Sequence, residues 1–167
     1  EGLEITLQGQ PISQPYVELT ASVMGLFGVS VEISQGSIRI EPQEYSATSV
    51  TIEPDASSAS YPLAIAALTG STLIIEDFGS ASLQGDSQIV DILKMMNVDI
   101  DWTPHSTKLT SNGSDLEGID IDMSEISDLV PTVAALACFA ASPTRIRGVG
   151  FIRSKESDRI GDLAAEL

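Results

Sequence analysis

The amino-acid sequence predicts a mixed α/β (α+β) fold built from repeated β-α-β-α-β-β units. Three observations predict it. The spacing of apolar residues switches repeatedly between two, the period of a strand, and 3.6, the period of a helix. Glycine, proline and polar turn residues stand at the switching points. The chain also resembles itself at an offset of about 70 residues.

Taken in order, Leu3-Glu4-Ile5-Thr6-Leu7 alternates as a strand does. Tyr16, Leu19, Val23 and Phe27 then line one helical face, and Gly28 stands where a glycine ends a helix. Residues 29–33 and 37–40 read as strands joined by a hairpin at Gln35-Gly36. Val50-Thr51-Ile52 predicts a further strand, and Asp55 heads an alanine-rich helix that runs to about Gly70. A strand over 72–76 follows, then a helix with Ile89, Ile92, Leu93 and Met96 on one face. Residues 98–102 and 107–110 form a second hairpin about Pro104-His105. The third round comprises a strand at Ile119-Asp120-Ile121-Asp122, a helix from about Asp128 to Ala141 and a strand over 144–149. A last helix from Glu156 keeps Ile160, Leu163, Ala164 and Leu167 in register. It meets no stop residue, so the sequence reads as cut from a longer one.

Three segments carry the repeat. Phe27-Gly28-Val29-Ser30-Val31 returns as Met96-Asn97-Val98-Asp99-Ile100, and Gln88-Ile89-Val90-Asp91 returns as Arg159-Ile160-Gly161-Asp162. Asp55, ahead of one alanine-rich helix, returns as Asp128 ahead of another. Aligned this way, Gln84-Gly85-Asp86-Ser87-Gln88 shares a frame with Lys155-Glu156-Ser157-Asp158-Arg159, and the later copy carries two extra cations.

Charge narrows the function. With 24 acidic residues against 8 basic ones, and a formal net charge of −16, the chain is a poor partner for nucleic acid. No apolar run is long enough to span a bilayer, and Glu1-Gly2-Leu3-Glu4 lacks the basic and apolar stretches of a signal peptide. The single cysteine, Cys138, rules out an intrachain disulfide and a cysteine-rich metal site, and its apolar neighbours predict a buried, inert thiol. The chain therefore reads as soluble and cytoplasmic. Five of its eight cations, Arg145, Arg147, Arg153, Lys155 and Arg159, fall within fifteen consecutive positions. Such a concentration suits either a local anion site or a strand and helix end with solvated side chains.

The Lys155–Arg159 frame has the parts of an anion site. A helix N-terminus presents free N–H groups and a partial positive charge. Arg159 would add a bidentate grip on a carboxylate or phosphate, and Lys155 a point charge for a hydroxyl or anion. The same spacing also suits a simply capped helix, with Glu156 and Asp158 favouring its dipole. Asp128 and Asp55 stand where capping residues belong. Asp128 precedes an almost wholly apolar helix, and desolvation at the rim of a cleft can raise a carboxylate toward the range of a base. His105 has no metal-ligand partners nearby and is assigned no role.

Four stretches in this order resemble the 5-enolpyruvylshikimate-3-phosphate synthase family: Ile12-Ser13-Gln14-Pro15-Tyr16, Asp55-Ala56-Ser57-Ser58-Ala59-Ser60-Tyr61, Gln84-Gly85-Asp86, and Arg153-Ser154-Lys155-Glu156-Ser157-Asp158-Arg159. The resemblance implies the enolpyruvyl transferase fold, with two domains of three β-α-β-α-β-β units and the active site between them. Residues 1–53 would close one domain, and 54–167 would open the second half of the other.

The implied reaction moves the enolpyruvyl group of phosphoenolpyruvate onto the 5-hydroxyl of shikimate 3-phosphate, with no metal or organic cofactor. By the same resemblance Ser13 holds the 3-phosphate with Tyr16 beside it. Asp128 orients and deprotonates the attacking hydroxyl, and Lys155 meets that hydroxyl. Glu156 takes part in proton transfer at the methylene carbon, and Arg159 grips phosphoenolpyruvate. Phe151 stands where many members carry an asparagine that contacts shikimate phosphate. Much of the family's cationic apparatus would lie outside these residues, so the chain by itself is expected to be inactive. The resemblance implies a monomeric full-length protein, whereas apolar faces left open at the ends of the shorter piece favour self-association. Two alternatives stand beside this reading: the related UDP-N-acetylglucosamine enolpyruvyl transferase, and a non-catalytic scaffold module.

Overall fold

Three short strands and one helix make up the first of the two units into which the chain divides, Glu1–Ile52 and Glu53–Leu167. The computed structural model describes residues 2–9, 13–113 and 115–167, so Glu1 and Ile12 of the segments quoted above lie outside the described residues. In the first unit, β1 (Leu3–Thr6), α1 (Gln14–Leu26), β2 (Glu32–Ser34) and β3 (Ser37–Ile40) give an antiparallel sheet ordered β1-β3-β2. The predicted strand at 29–33 starts three residues late. Val29 is spent on closing the helix before it: its N–H donates to Met24 O at 3.1 Å while Gly28 takes a left-handed φ of 83°.

The second unit opens with α2 (Ala56–Thr69), capped by the Asp55 side chain at Ser58 N and closed by left-handed Gly70. Then come β4 (Thr72–Glu76), a 3-10 turn over Gly85–Gln88 leading into α3 (Ile89–Met95), and the hairpin β5 (Asp99–Trp102) and β6 (Ser106–Thr110). These strands pair antiparallel in the order β4-β6-β5. The third round is β7 (Asp120–Asp122), a 3-10 turn over Ser127–Leu129, α4 (Val130–Ala137), β8 (Arg145–Arg147), a 3-10 turn over Gly150–Ser154, and α5 (Arg159–Glu166). β7 and β8 pair in parallel, with α4 as the crossover between them. The internal repeat is visible atom by atom. Asn97 takes φ 71° and Val98 N donates to Leu93 O at 3.0 Å, the same helix closure that Gly28 and Val29 make.

Four expectations are corrected. Val50-Thr51-Ile52 forms no strand, because alternation alone cannot make one without a ladder partner, and none is found among the described residues. The helix expected over 128–141 begins as a 3-10 turn and its α-helical part stops at Ala137, after which Ala140 bridges to Leu116. The last helix starts at Arg159 rather than Glu156, since Asp158 is its N-cap. Cys138 is exposed, lying just past the end of α4 on a side that the core does not cover.

One continuous core fills the second unit. Leu63 of α2, Phe78, Ile89 and Leu93 of α3, Leu109 of β6, Met123, Leu129, Leu136 of α4 and Ile152 are fully buried in it. Buried Ser60 and Thr132 hydrogen-bond to each other at 3.0 Å, joining α2 to α4. Backbones also meet directly. A Cβ on Gly79 would fall far inside van der Waals contact with the Thr103 and Pro104 backbone. Gly79→Ala is therefore expected to cost about 2 kcal/mol, as a chain shift rather than a rotamer change is needed. A urea midpoint unchanged from wild type would count against that close approach.

Candidate functional site

Asp128 stands one residue ahead of a helix N-cap rather than at it. It sits inside the 3-10 turn before α4, whose own N-cap is Leu129, with no side-chain cap hydrogen bond. Its carboxylate is turned instead to the Lys155–Arg159 loop. Lys155 Nζ donates to Asp128 Oδ1 at 2.6 Å, and Arg159 Nη1 donates to the same oxygen at 2.6 Å. Lys155 Nζ also donates to Ser127 Oγ at 3.1 Å, and Arg159 Nη2 to Glu156 Oε2 at 2.7 Å. Asp128 Oδ1 thus joins the two cations, and Arg159 links Glu156 to them. Their side chains are neither sealed nor free: Lys155, Arg159 and Asp128 are 25, 26 and 33% exposed, and Glu156 is 78% exposed.

Local structure explains the placement. Ile152 is buried in the core and anchors the 3-10 turn that delivers Lys155. Asp158 then caps α5 by accepting from Gly161 N at 2.9 Å, and Arg153 donates to both its oxygens at 2.7 and 3.0 Å. With the helix start held this way, Arg159 becomes its first residue and points back to Asp128.

The electrostatics follow the contacts. Arg159 is held even more firmly protonated, above all by its hydrogen bond to Asp128. Glu156 is held below the usual carboxylate range, first by its own backbone N–H and then by Arg159. Asp158 is lowered too, chiefly by the Gly161 N–H and, against a desolvation cost, by Arg153. A carboxylate lowered in the folded state stabilises fully above its unfolded pKa of about 3.9 and loses that stabilisation as pH falls through the lower folded value. The Gly161 amide is accordingly expected to lose hydrogen-exchange protection as pH falls below about 4. In Asp158→Ala the loss should already be present at neutral pH, and unchanged protection there would count against the cap.

The repeat holds a counterpart of this contact. Gln84 occupies the frame of Lys155 and grips the start of α2: Ala56 N donates to Gln84 Oε1 at 2.8 Å, and Gln84 Nε2 donates to Pro54 O at 2.8 Å. Lys155 reaches the start of α4 in the same manner. One copy closes its scaffold position with a neutral amide; the other leaves an ammonium there.

Ser13 and Tyr16 lie in the first unit, at the start of α1, and are described there on their own. Ser13 is the N-cap residue, with a left-handed φ of 57° and no side-chain cap hydrogen bond, so its hydroxyl is not used by the helix it precedes. Tyr16 is exposed, and its N–H donates to Ser13 O at 3.1 Å. Phe151 is half-buried against the core of the second unit. Ser127 was not legible as a site residue, since an isolated serine before an aspartate carries no pattern. Among the described residues no group of His, Cys, Asp and Glu is arranged to hold a metal ion, and no helix is long and apolar enough to cross a membrane.

The model of the EPSP synthase (3-phosphoshikimate 1-carboxyvinyltransferase) family matches residues 1–167. The chain belongs to the EPSP synthase family. It is 40% identical over 167 residues to the 3-phosphoshikimate 1-carboxyvinyltransferase of Methanothermobacter thermautotrophicus, covering all of this chain and 40% of that protein. It is 41% identical over 175 residues to the chloroplastic 3-phosphoshikimate 1-carboxyvinyltransferase of Arabidopsis thaliana, covering 99% of this chain and 34% of that one. The chain thus spans well under half the length of these curated relatives.

Among solved structures, the EPSP synthase of Acinetobacter baumannii superposes with a TM-score of 0.73 at 22% identity, over 98% of this chain and 38% of that one. The enolpyruvyl transferase NikO of Streptomyces tendae gives 0.67 at 21%, over 87% and 35%. Both similarities establish the shared enolpyruvyl transferase fold. Membership in the EPSP synthase family leaves neither the UDP-N-acetylglucosamine enzyme nor a bare scaffold as the favoured reading.

Proposed function

We propose that the protein to which this chain belongs transfers the enolpyruvyl group of phosphoenolpyruvate to the 5-hydroxyl of shikimate 3-phosphate, and that this chain supplies the acid–base part of the site. The observation that carries the reading is the single Asp128 oxygen that accepts from both Lys155 and Arg159. A carboxylate so placed is oriented and partly open to solvent, as a base for a hydroxyl must be.

In the addition step the 5-hydroxyl oxygen bonds to C2 of phosphoenolpyruvate while its proton passes to Asp128. A proton is added at C3, turning the methylene into a methyl group. In the elimination step C3 gives up a proton and phosphate leaves C2. Lys155 supports the alkoxide that develops on the attacking oxygen. Arg159 grips phosphoenolpyruvate, and Ser13 with Tyr16 serves the 3-phosphate.

Glu156 is the proton donor at C3, and in the absence of substrate its own backbone N–H and then Arg159 hold it below the usual carboxylate range. An anionic substrate that draws Arg159 away removes the second of those influences. Both substrates are anions, so the chain alone, with Lys155 and Arg159 already paired to carboxylates, is proposed to be inactive. The cytoplasm is the proposed location.

The test is complementation of a strain lacking EPSP synthase. The full reading frame that contains this sequence is expected to restore growth without aromatic supplements, whereas Lys155→Gln in that frame and the 167-residue chain alone are not. Failure of the unmutated frame, with its product folded and abundant, would sink the assignment.

A further inference from the structure

Asp86 is 4% exposed, the most deeply buried carboxyl group among the described residues, and the chemistry above makes no use of it. One oxygen accepts from Ser57 Oγ; the other, Oδ1, is shut off from solvent with no hydrogen-bond partner. It belongs to Gln84-Gly85-Asp86, whose Gln84 already clamps Pro54 and Ala56. Gln84 and Asp86 thus hold the start of α2 through Pro54, Ala56 and Ser57. α2 packs on the 3-10 turn carrying Ser127 and Asp128, and Ser60 and Thr132 join α2 to α4 one turn further in.

We infer that Asp86 is a positioning residue for the Asp128 site: its hold on Ser57 fixes the start of α2 against the Ser127–Asp128 turn, and the charge it can carry is set against that of Asp128. A buried carboxylate oxygen with no donor is costly, whereas the neutral acid is not. Burial accordingly raises the Asp86 pKa above the ordinary aspartate value, against the Ser57 hydrogen bond. The charged groups that bear on it are Asp128 and Asp55, which raise it further, and Lys155, which lowers it. A neutral Asp86 leaves the Lys155 and Arg159 charges to Asp128. An ionised one competes with Asp128 for Lys155. The consequence for catalysis rests on the proposed function; the coupling itself does not.

The sign for stability is opposite to that of Asp158. A carboxyl raised in the folded state binds more protons folded than unfolded, so stability falls as pH rises from about 3.9 through the raised value. Asp86→Asn, which keeps a polar partner for Ser57, removes that fall.

The experiment is a carbon-13 carboxylate NMR titration of the 167-residue chain, with Asp86→Asn used for assignment. Asp86 is expected to titrate above the ordinary aspartate range. Its midpoint should move down in Asp128→Asn and up in Lys155→Met. The Asp128 signal should show a second inflection at the Asp86 midpoint that disappears in Asp86→Asn. A residue that merely braces the fold leaves the Asp128 curve the same in wild type and Asp86→Asn, and that result overturns the inference. So does an Asp86 midpoint indifferent to both Asp128→Asn and Lys155→Met. Because no readout depends on turnover, failed complementation and failed coupling are separate results.

Discussion

Asp128→Asn is expected to lower kcat of the enzyme expressed from the full reading frame about a thousandfold, while KM for phosphoenolpyruvate moves only severalfold. Asparagine keeps an oxygen where Lys155 and Arg159 donate, so the geometry at 2.6 Å has a neutral acceptor to rest on. What it loses is basicity, and the proton of the attacking hydroxyl has no comparable acceptor. Asp128→Ala should differ in kind. Without any acceptor Lys155 keeps only Ser127 and Arg159 only Glu156 among the contacts described above, so KM should rise together with the fall in kcat. Steady-state kinetics on the two variants separates the roles. If Asp128→Asn keeps more than a tenth of wild-type kcat, the base is elsewhere and Asp128 only orients its cations.

The sequence made the repeat legible because repeated units reuse the same local physics. The Phe27-Gly28-Val29 and Met96-Asn97-Val98 closures match because each needs a left-handed residue followed by an apolar one that tucks under the helix end. Val50-Thr51-Ile52 misled for the complementary reason: alternation records which side chains want burial, but a ladder needs a partner strand, and that is not local information.

The site divides along the same line. Lys155, Glu156 and Arg159 were readable because the frame shared with Gln84–Gln88 exposed the added charge. Asp128 was readable as a position but not as a geometry. Spacing offered a cap, and only the fold shows its carboxylate accepting from two cations 27 and 31 residues later. Asp86 was invisible as a functional group, since burial is a property of the packed core. Cys138 erred the other way: its apolar neighbours are buried on the rows through Val133 and Leu136, and it lies off them.

Phe78→Ala is expected to destabilise the chain by about 4 kcal/mol. The ring is fully buried in the core to which α2, α3, β6 and α4 contribute. Its backbone is equally committed. Phe78 O accepts from the buried Thr107 Oγ1 at 2.6 Å, and the next residue, Gly79, is pressed against the Thr103–Pro104 backbone. The pinned main chain keeps the cavity from collapsing, which puts the cost toward the upper part of the range for such truncations. Phe78→Leu should recover more than half of it, as the loss is mainly volume. Urea unfolding of the three proteins is the check, and a loss below about 1 kcal/mol for alanine would mean the core closes over the gap. The same core includes Leu129 and Ile152, which seat Asp128 and the loop bearing Lys155. Phe78→Ala should therefore weaken the hold on both chain segments of the site without touching a charge. Asp128→Asn should do the reverse, leaving the urea midpoint near wild type while chemistry stops.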